Sequence, residues 1–233
     1  MAAPPADGTW VPTFTEEFER STLDPTVWSA GPDTGRSAEA AHLLVSDGIL
    51  HLITRHHQGG RREWTSAFLA TRRFRQTYGY FEVRMRLAHA TGMTNLIRLS
   101  SDQPNRPGGF EITLAEGRYP GEVDSGVLRH DAPTLMTRHA LAGIDLSADY
   151  HVYGLEWLPE GRGRTKLTWY LDDKPLQVAV SDDCARPVRL WLGTQVTTWS
   201  GPFAPAISGA SMDVDFIRIY QLHSLMVPPR PRK

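Results

Sequence analysis

Two glutamates lie close together on a short apolar segment near the middle of the chain. The segment runs Gly109-Phe110-Glu111-Ile112-Thr113-Leu114-Ala115-Glu116-Gly117. On a regular strand Glu111 and Thr113 share one face, whereas Glu116 has the wrong parity to join them. A one-residue β-bulge between the glutamates would bring both carboxylates to one face. Such a pair can hydrolyse a glycosidic bond, since one carboxylate attacks the anomeric carbon while the other protonates the leaving oxygen. Spacing alone does not separate this chemistry from an ordinary solvated strand face.

The composition is that of an ordinary soluble domain. The chain has 233 residues, of which 40% are hydrophobic and 22% charged, and its formal net charge is −1. This length fits a single large all-β domain. The near-zero charge argues against a nucleic-acid or anionic-membrane partner, and no apolar stretch is long enough to span a membrane. Cys184 is the single cysteine, so no intrachain disulfide can form.

The ends of the chain suggest its organisation and location. We predict an N-terminal extension at 1–10, one domain at 11–222 and a basic, proline-rich tail at 223–233. Residues 1–8 lack the basic and apolar regions of a secretion signal. The lone cysteine fits a reducing compartment. We therefore predict a cytoplasmic, monomeric protein, or a secreted one if a leader segment has been removed.

Period-two alternation dominates the chain and predicts strands. In the clearest case, residues 80–87, apolar side chains at odd positions alternate with Glu82, Arg84 and Arg86. Further strands are predicted at Ile49–Thr54, Ser66–Thr71, Val123–Arg129, His151–Trp157, Val188–Leu192 and Met212–Tyr220.

A hairpin and a long irregular segment complete the pattern. Thr165–Val180 alternates on both sides of Asp172 and Asp173, which favour a tight turn. Arg20–Ala41 is the least regular segment and is predicted as loop. Many short strands with turn signals, and no alternation with helices, predict an all-β antiparallel sandwich or barrel.

Several segments, taken in chain order, resemble one known family. They are Phe14–Phe18, Gly48–Leu52, Tyr78–Met85, Tyr150–Trp157, Trp169–Lys174 and Met212–Tyr220. In this order they are similar to segments of glycoside hydrolase family 16. The resemblance implies a concanavalin A-like jelly-roll sandwich with a concave cleft face, acting on carbohydrate. The family's catalytic pattern is E-x-D-x-x-E, which implies Glu111 as nucleophile and Glu116 as general acid/base.

Thr113 stands where the resemblance places the middle aspartate of that pattern. A threonine can form a hydrogen bond but adds no negative charge to its neighbours. Without that charge a nearby glutamate holds its proton less readily, although general acid catalysis requires the protonated form. We therefore expect a weakened or altered glycosidase.

The preceding segment departs from the family as well. Gly92–Leu99 aligns with the family's GLWPAFWL, and Thr94 and Arg98 occupy the positions of its two tryptophans. Aromatic platforms hold sugar rings in such clefts, so their loss weakens the case for a polysaccharide. Arg98 suits a substrate carboxylate or phosphate, or an ion pair with Glu111 or Glu116. Asn95, on the same strand, is a further candidate for substrate binding.

Other candidates border the expected cleft. Trp199 is either a remaining stacking platform or a cap on the core, and Gln195 is a candidate hydrogen-bond partner for substrate. His130 follows the strand next to the glutamates and is a weaker candidate. Neither a cofactor nor a metal is predicted in the cleft. The resemblance implies that a structural calcium, which family members often carry, would lie near Glu17 and Asp215, since calcium takes oxygen ligands.

Three functions follow from these features. The first is retaining cleavage of an internal β-glycosidic bond through Glu111 and Glu116. The second is a different reaction on the same scaffold, such as cyclisation, isomerisation or dehydration of a small natural-product-like metabolite, suggested by Arg98 and the lost tryptophans. The third is a non-catalytic carbohydrate-binding module, which retention of both glutamates disfavours.

Overall fold

The structure is a computed structural model that describes residues 4, 9–30, 42–56, 64–197, 200–201 and 209–226. Trp199, most of the predicted N-terminal extension and residues 227–233 of the predicted tail lie outside the described residues. The elements are β1 (Trp10–Glu16), β2 (Trp28–Ala30), β3 (Leu43–Ser46), β4 (Ile49–His56), β5 (Trp64–Thr65), β6 (Phe68–Thr71), β7 (Gly79–Arg86), β8 (Met93–Ser101), β9 (Phe110–Arg118), β10 (Glu122–Arg129), β11 (Leu135–Ala140), β12 (His151–Gly161), β13 (Arg164–Leu171), β14 (Lys174–Asp182), β15 (Val188–Val196), β16 (Gly209–Leu222) and the short helix α1 (His223–Met226).

These strands form two antiparallel sheets packed face to face. Sheet A has nine strands in the order β14-β13-β12-β7-β16-β4-β3, with β1 paired to β16 and β5 to β4. Sheet B has seven strands in the order β11-β10-β9-β8-β15-β6-β2. The predicted all-β antiparallel sandwich is confirmed, and β8, β9 and β10 lie side by side in sheet B.

The core lies between the sheets because each strand turns its apolar face inward. On β7 of sheet A, Phe81, Val83 and Met85 are buried in the same apolar cluster as Ile112 on β9 and Leu99 on β8. This packing is what period-two alternation predicts. Burial of such side chains stabilises the fold by about 1.5–3 kcal/mol each.

The hairpin predicted around Asp172 and Asp173 is present as β13 and β14. Both aspartates have positive φ angles, 48° and 66°, as a two-residue turn that follows the strand twist requires. Asp172 also accepts hydrogen bonds from the backbone N–H of Val152 and from His151. These contacts fix the turn against the neighbouring strand.

The segment predicted as loop, Arg20–Ala41, contains a strand in its described part, residues 20–30, whereas residues 31–41 lie outside the described residues. Residues 28–30 form β2 at the edge of sheet B, paired with β6. Trp28 is buried, packs edge-on against Phe14 and donates its indole N–H to Glu16 at 2.9 Å. This loop prediction was therefore wrong at residues 28–30, because tertiary packing of one tryptophan outweighs the weak local pattern.

Among the residues that the structure describes, no helix is long and apolar enough to cross a membrane.

Candidate active site

The predicted β-bulge is present on β9. On one side Ala115 pairs with Ile97 and Thr113 pairs with Arg98, so β9 carries one extra residue between these pairs. On the other side the register with β10 shifts over the same stretch. The bulge therefore places Glu111, Thr113 and Glu116 together on the outer face of sheet B, which we call the cleft face.

A single guanidinium group joins the two glutamates. Nη1 of Arg98 donates to Glu111 Oε2 at 3.0 Å, and Nη2 donates to Glu116 Oε2 at 3.3 Å. All three side chains are partly shielded, with exposed fractions of 18% for Arg98, 25% for Glu111 and 11% for Glu116. Of the two roles expected for Arg98, the structure shows the ion pair, and it involves both glutamates.

Glu111 has a second donor on its other oxygen. Ser100, directly opposite it on β8, donates its hydroxyl to Glu111 Oε1 at 2.6 Å. Both oxygens of Glu111 therefore accept hydrogen bonds, one of them charge-assisted. This arrangement fixes the rotamer of Glu111 and points its carboxylate along the cleft face.

Glu116 lies in a denser set of charges. Besides Arg98, it faces Arg118, whose Nη1 is 3.8 Å from Glu116 Oε1. Arg118 is only 4% exposed and also contacts Glu122 and Asp124. Glu116 thus has a cation beside each of its oxygens, and the more buried of these cations is itself enclosed by carboxylates.

Thr113 occupies the centre of the pair. It is fully buried, and its backbone carbonyl accepts a hydrogen bond from the indole of Trp169 at 2.9 Å. Its hydroxyl has no hydrogen-bond partner among the described residues. Because Thr113 pairs in register with Arg98, an acidic side chain at this position would contact the guanidinium that now bridges the glutamates.

The other two residues of β8 singled out from the sequence, Thr94 and Asn95, are buried and hydrogen-bonded within the protein. Thr94 is buried and hydrogen-bonded to the hydroxyls of Thr197 and Ser200. Asn95 is fully buried, accepts from the N–H of Ala88 at 2.9 Å and donates to the carbonyl of Gly117 at 3.1 Å. Asn95 therefore holds the backbone beside the site, and this placement offers no side-chain atom to a substrate.

Two further candidates lie near the edges of the cleft face. Gln195 is 9% exposed and pairs with Thr94 from the adjacent strand β15. His130 is exposed beyond the end of β10, where its backbone N–H donates to Gly109 at 3.2 Å. Trp199 lies outside the described residues.

Sequence reasoning missed an aromatic residue at the centre of the cleft face. Trp191 on β15 pairs with Arg98 and is half-buried, and Arg189 stacks on its ring 4.3 Å from the centroid. Leu190 and Leu192 on either side of Trp191 are buried in the core. This alternation is visible in the sequence and places Trp191 on the opposite face.

The residues expected to bind calcium are already paired. Arg218 donates to both carboxylate oxygens of Glu17 at 2.7 and 2.9 Å, and Arg84 forms an ion pair with Asp215. Among the described residues, no group of three or more His, Cys, Asp or Glu side chains could hold a metal ion. A structural calcium near Glu17 and Asp215 stays a prediction.

Comparison with known proteins agrees with this architecture. A sequence profile described as "Glycosyl hydrolases family 16" matches residues 34–218. The chain is similar to the endo-1,3-1,4-beta-glycanase EglC of Rhizobium meliloti (strain 1021), with 25% identity over 228 residues, covering 92% of this chain and 48% of that protein. It is also similar to a beta-glucanase of Rhodothermus marinus, with 27% identity, covering 91% of this chain and 85% of that protein. The chain thus spans about half the length of the first of these relatives.

Solved structures share the fold. The catalytic domain of an endo-1,3-beta-glucanase (laminarinase) from Thermotoga petrophila RKU-1 superimposes with a TM-score of 0.80 at 20% identity, covering 93% of this chain and 99% of that one. The endo-beta-1,3-glucanase from Pyrococcus furiosus gives a TM-score of 0.79 at 20% identity, covering 92% and 95%. The profile match covers most of the chain, and the chain belongs to glycosyl hydrolases family 16.

Proposed function

We propose that this protein cleaves a β-glycosidic bond inside a β-glucan with retention of anomeric configuration. One observation carries the proposal: Glu111 and Glu116 lie on one face, and each accepts a hydrogen bond from a different terminal nitrogen of Arg98. Retaining enzymes need carboxyl groups about 5 Å apart, whereas inverting enzymes need room for a water between them. Two carboxylates that share one guanidinium fit the closer arrangement.

Glu111 is the better nucleophile of the two. It is the more exposed carboxylate, and donors on both of its oxygens hold it in place. It would attack the anomeric carbon and form a covalent glycosyl ester. The C–O bond to the leaving sugar breaks in the same step.

Glu116 would donate the proton that the leaving oxygen needs. It is the less exposed carboxyl of the pair. Arg98 opposes this role while it touches Glu116, since its guanidinium occupies Oε2 of that carboxyl. We therefore propose that bound sugar displaces the contact between Arg98 and Glu116. This added step is one reason to expect slower cleavage than an enzyme with an aspartate at position 113 would give.

A β-glucan is the proposed substrate for two reasons. A relative named as an endo-1,3-1,4-beta-glycanase and one named as a beta-glucanase each match about nine-tenths of the chain. Trp191 offers a partly exposed indole beside the catalytic pair, and such rings pack against the apolar faces of sugars.

The test is product release from mixed-linkage β-glucan, laminarin and a galactan. Wild-type protein is expected to release oligosaccharides from at least one glucan, and Glu111→Ala to abolish release. Glu160→Ala is the matched control, because Glu160 is an exposed carboxylate on β12, and it should leave release unchanged. Release that persists in Glu111→Ala would rule out this nucleophile.

A second candidate function is supported by Arg98. A cation and a buried threonine, Thr94, stand where the family resemblance places tryptophans, which suits a small anionic metabolite better than a neutral polymer. In that case Glu111 or Glu116 would move a proton during isomerisation, cyclisation or dehydration. Two results together would favour this function. Wild-type protein would release no product from any polymer, and a metabolite carboxylate would raise the melting temperature of wild type but not of Arg98→Met.

A further inference from the structure

Arg118 is a buried arginine next to the proposed acid/base. It lies on β9 two residues after Glu116, on the same face, and is only 4% exposed. A buried guanidinium is costly unless anions surround it. Its anions are Glu116 at 3.8 Å, Glu122 at 3.3 Å and Asp124 at 2.7 Å.

The contacts of Arg118 differ in quality. Its Nε donates a well-formed hydrogen bond to Glu122. Among the described residues, its buried Nη1 and Nη2 atoms have no hydrogen bond of good geometry. The close approach to Asp124 is therefore an ion pair without a well-directed bond, and Nη1 is just beyond hydrogen-bond distance of Glu116. Donors of this kind can tighten when the reacting complex forms.

The two arginines beside Glu116, Arg98 and Arg118, differ in exposure and in their other contacts. Arg98, from β8, is shared with Glu111 and is 18% exposed, so substrate can reach it. Arg118 is shielded, and Asp124 on β10, which anchors it, is itself held by Arg138 on β11 at 3.1 Å. Arg118 is thus fixed from behind, whereas Arg98 faces the space where sugar would bind.

We infer that Arg118 is a positioning residue that orients the Glu116 carboxyl and stabilises the carboxylate left after proton transfer. This inference rests on the proposed function. As the bond between the anomeric carbon and the leaving oxygen breaks, the proton of Glu116 passes to that oxygen and Glu111 bonds to the carbon. Glu116 becomes negative at that moment, and Nη1 of Arg118 closes on Oε1. Arg118 does not touch the substrate.

Kinetics of Arg118→Met test the role, with Arg164→Met as the matched control. Arg164 is an exposed arginine of β13, and its ion-pair partners are Glu160 and Asp182. Arg118→Met is expected to lower kcat about tenfold or more, with KM within about twofold, because the lost interaction acts at the transition state. Arg164→Met should change neither, and Arg118→Lys should recover part of kcat. Equal effects of the two methionine variants, or a change in KM alone, would overturn the inference.

A readout independent of activity separates this inference from the proposed function. In protein labelled with ¹³C at glutamate carboxyls, the Glu116 signal is identified by its loss in Glu116→Gln. At pH 7 this signal should move in Arg118→Met and stay in place in Arg164→Met. An unmoved signal overturns the inference even if wild-type protein cleaves glucan. A moved signal supports it even if no glucan is cleaved, in which case only the proposed function fails. Should Arg118→Met not fold, Arg118→Lys carries both measurements.

Discussion

Glu82 gives the protein a pH-dependent stability that can be worked out from the structure. It lies on the outer face of sheet A, yet it is fully buried beside Tyr80 and Tyr220. Tyr220 donates its hydroxyl to Glu82 Oε1 at 3.3 Å, while Oε2 has no partner among the described residues. Burial raises the pKa of Glu82 from 4.5 to about 7, and the hydrogen bond from Tyr220 and the nearby Arg218 only partly offset this rise.

The raised pKa of Glu82 determines how the free energy of unfolding changes with pH. Because the pKa of Glu82 is higher in the folded state, its contribution to stability is fully present below pH 4.5. That contribution is lost as the pH rises through about 7. A rise from 4.5 to about 7 corresponds to about 3 kcal/mol. Since the ionised carboxyl can draw in water and relax its surroundings, we expect about 2 kcal/mol in practice.

The substitution Glu82→Gln removes the titration and keeps the size of the side chain. Urea denaturation at pH 5 and pH 8, at fixed ionic strength, is expected to show Glu82→Gln gaining about 2 kcal/mol relative to wild type between the two pH values. Glu160→Gln, at an exposed position of β12, should show no such gain. If the free energies of unfolding of wild type and Glu82→Gln differ by the same amount at both pH values, this account of Glu82 is refuted.

Two further predictions concern the cleft face. Thr113→Asp is expected to raise kcat on β-glucan severalfold, because an aspartate there would pair with Arg98 and free Glu116. Thr113→Val should not raise kcat, and equal initial rates for Thr113→Asp, Thr113→Val and wild type would contradict the prediction. Trp191→Ala is expected to raise KM about fivefold to tenfold with kcat nearly unchanged, because it removes a stacking contact worth about 1 kcal/mol. Saturation curves measure both constants, and a lower kcat with an unchanged KM would contradict the prediction.

Much of the site could be predicted because it rests on strand parity. The wrong parity of Glu116 relative to Glu111 predicts the bulge, and the structure has it at the expected place. The same rule would have found Trp191, since the leucines on either side of it are in the core. Arg118 shares the face of Glu116 by parity too, but nothing in the local sequence shows that an arginine there is buried.

The remaining differences come from contacts that are distant in sequence. Asn95 is predicted at the cleft, but its side chain bonds the backbone at Ala88 and Gly117, a role set by the pairing of β8 with β9. β2 forms where the local pattern indicates loop, because Trp28 packs against a strand on the other side of the sandwich. Such outcomes depend on which strands become neighbours, and alternation within one strand does not encode that.

The most direct test of the central claim is to trap the covalent intermediate on Glu111. Wild-type protein would be incubated with an activated 2-deoxy-2-fluoro laminari-oligosaccharide, digested and analysed by mass spectrometry. We predict that the added sugar mass maps to the peptide containing Glu111 and is absent in Glu111→Gln. Cleavage of glucan by wild type without any such adduct, or an adduct on a different residue, would contradict a retaining mechanism through Glu111.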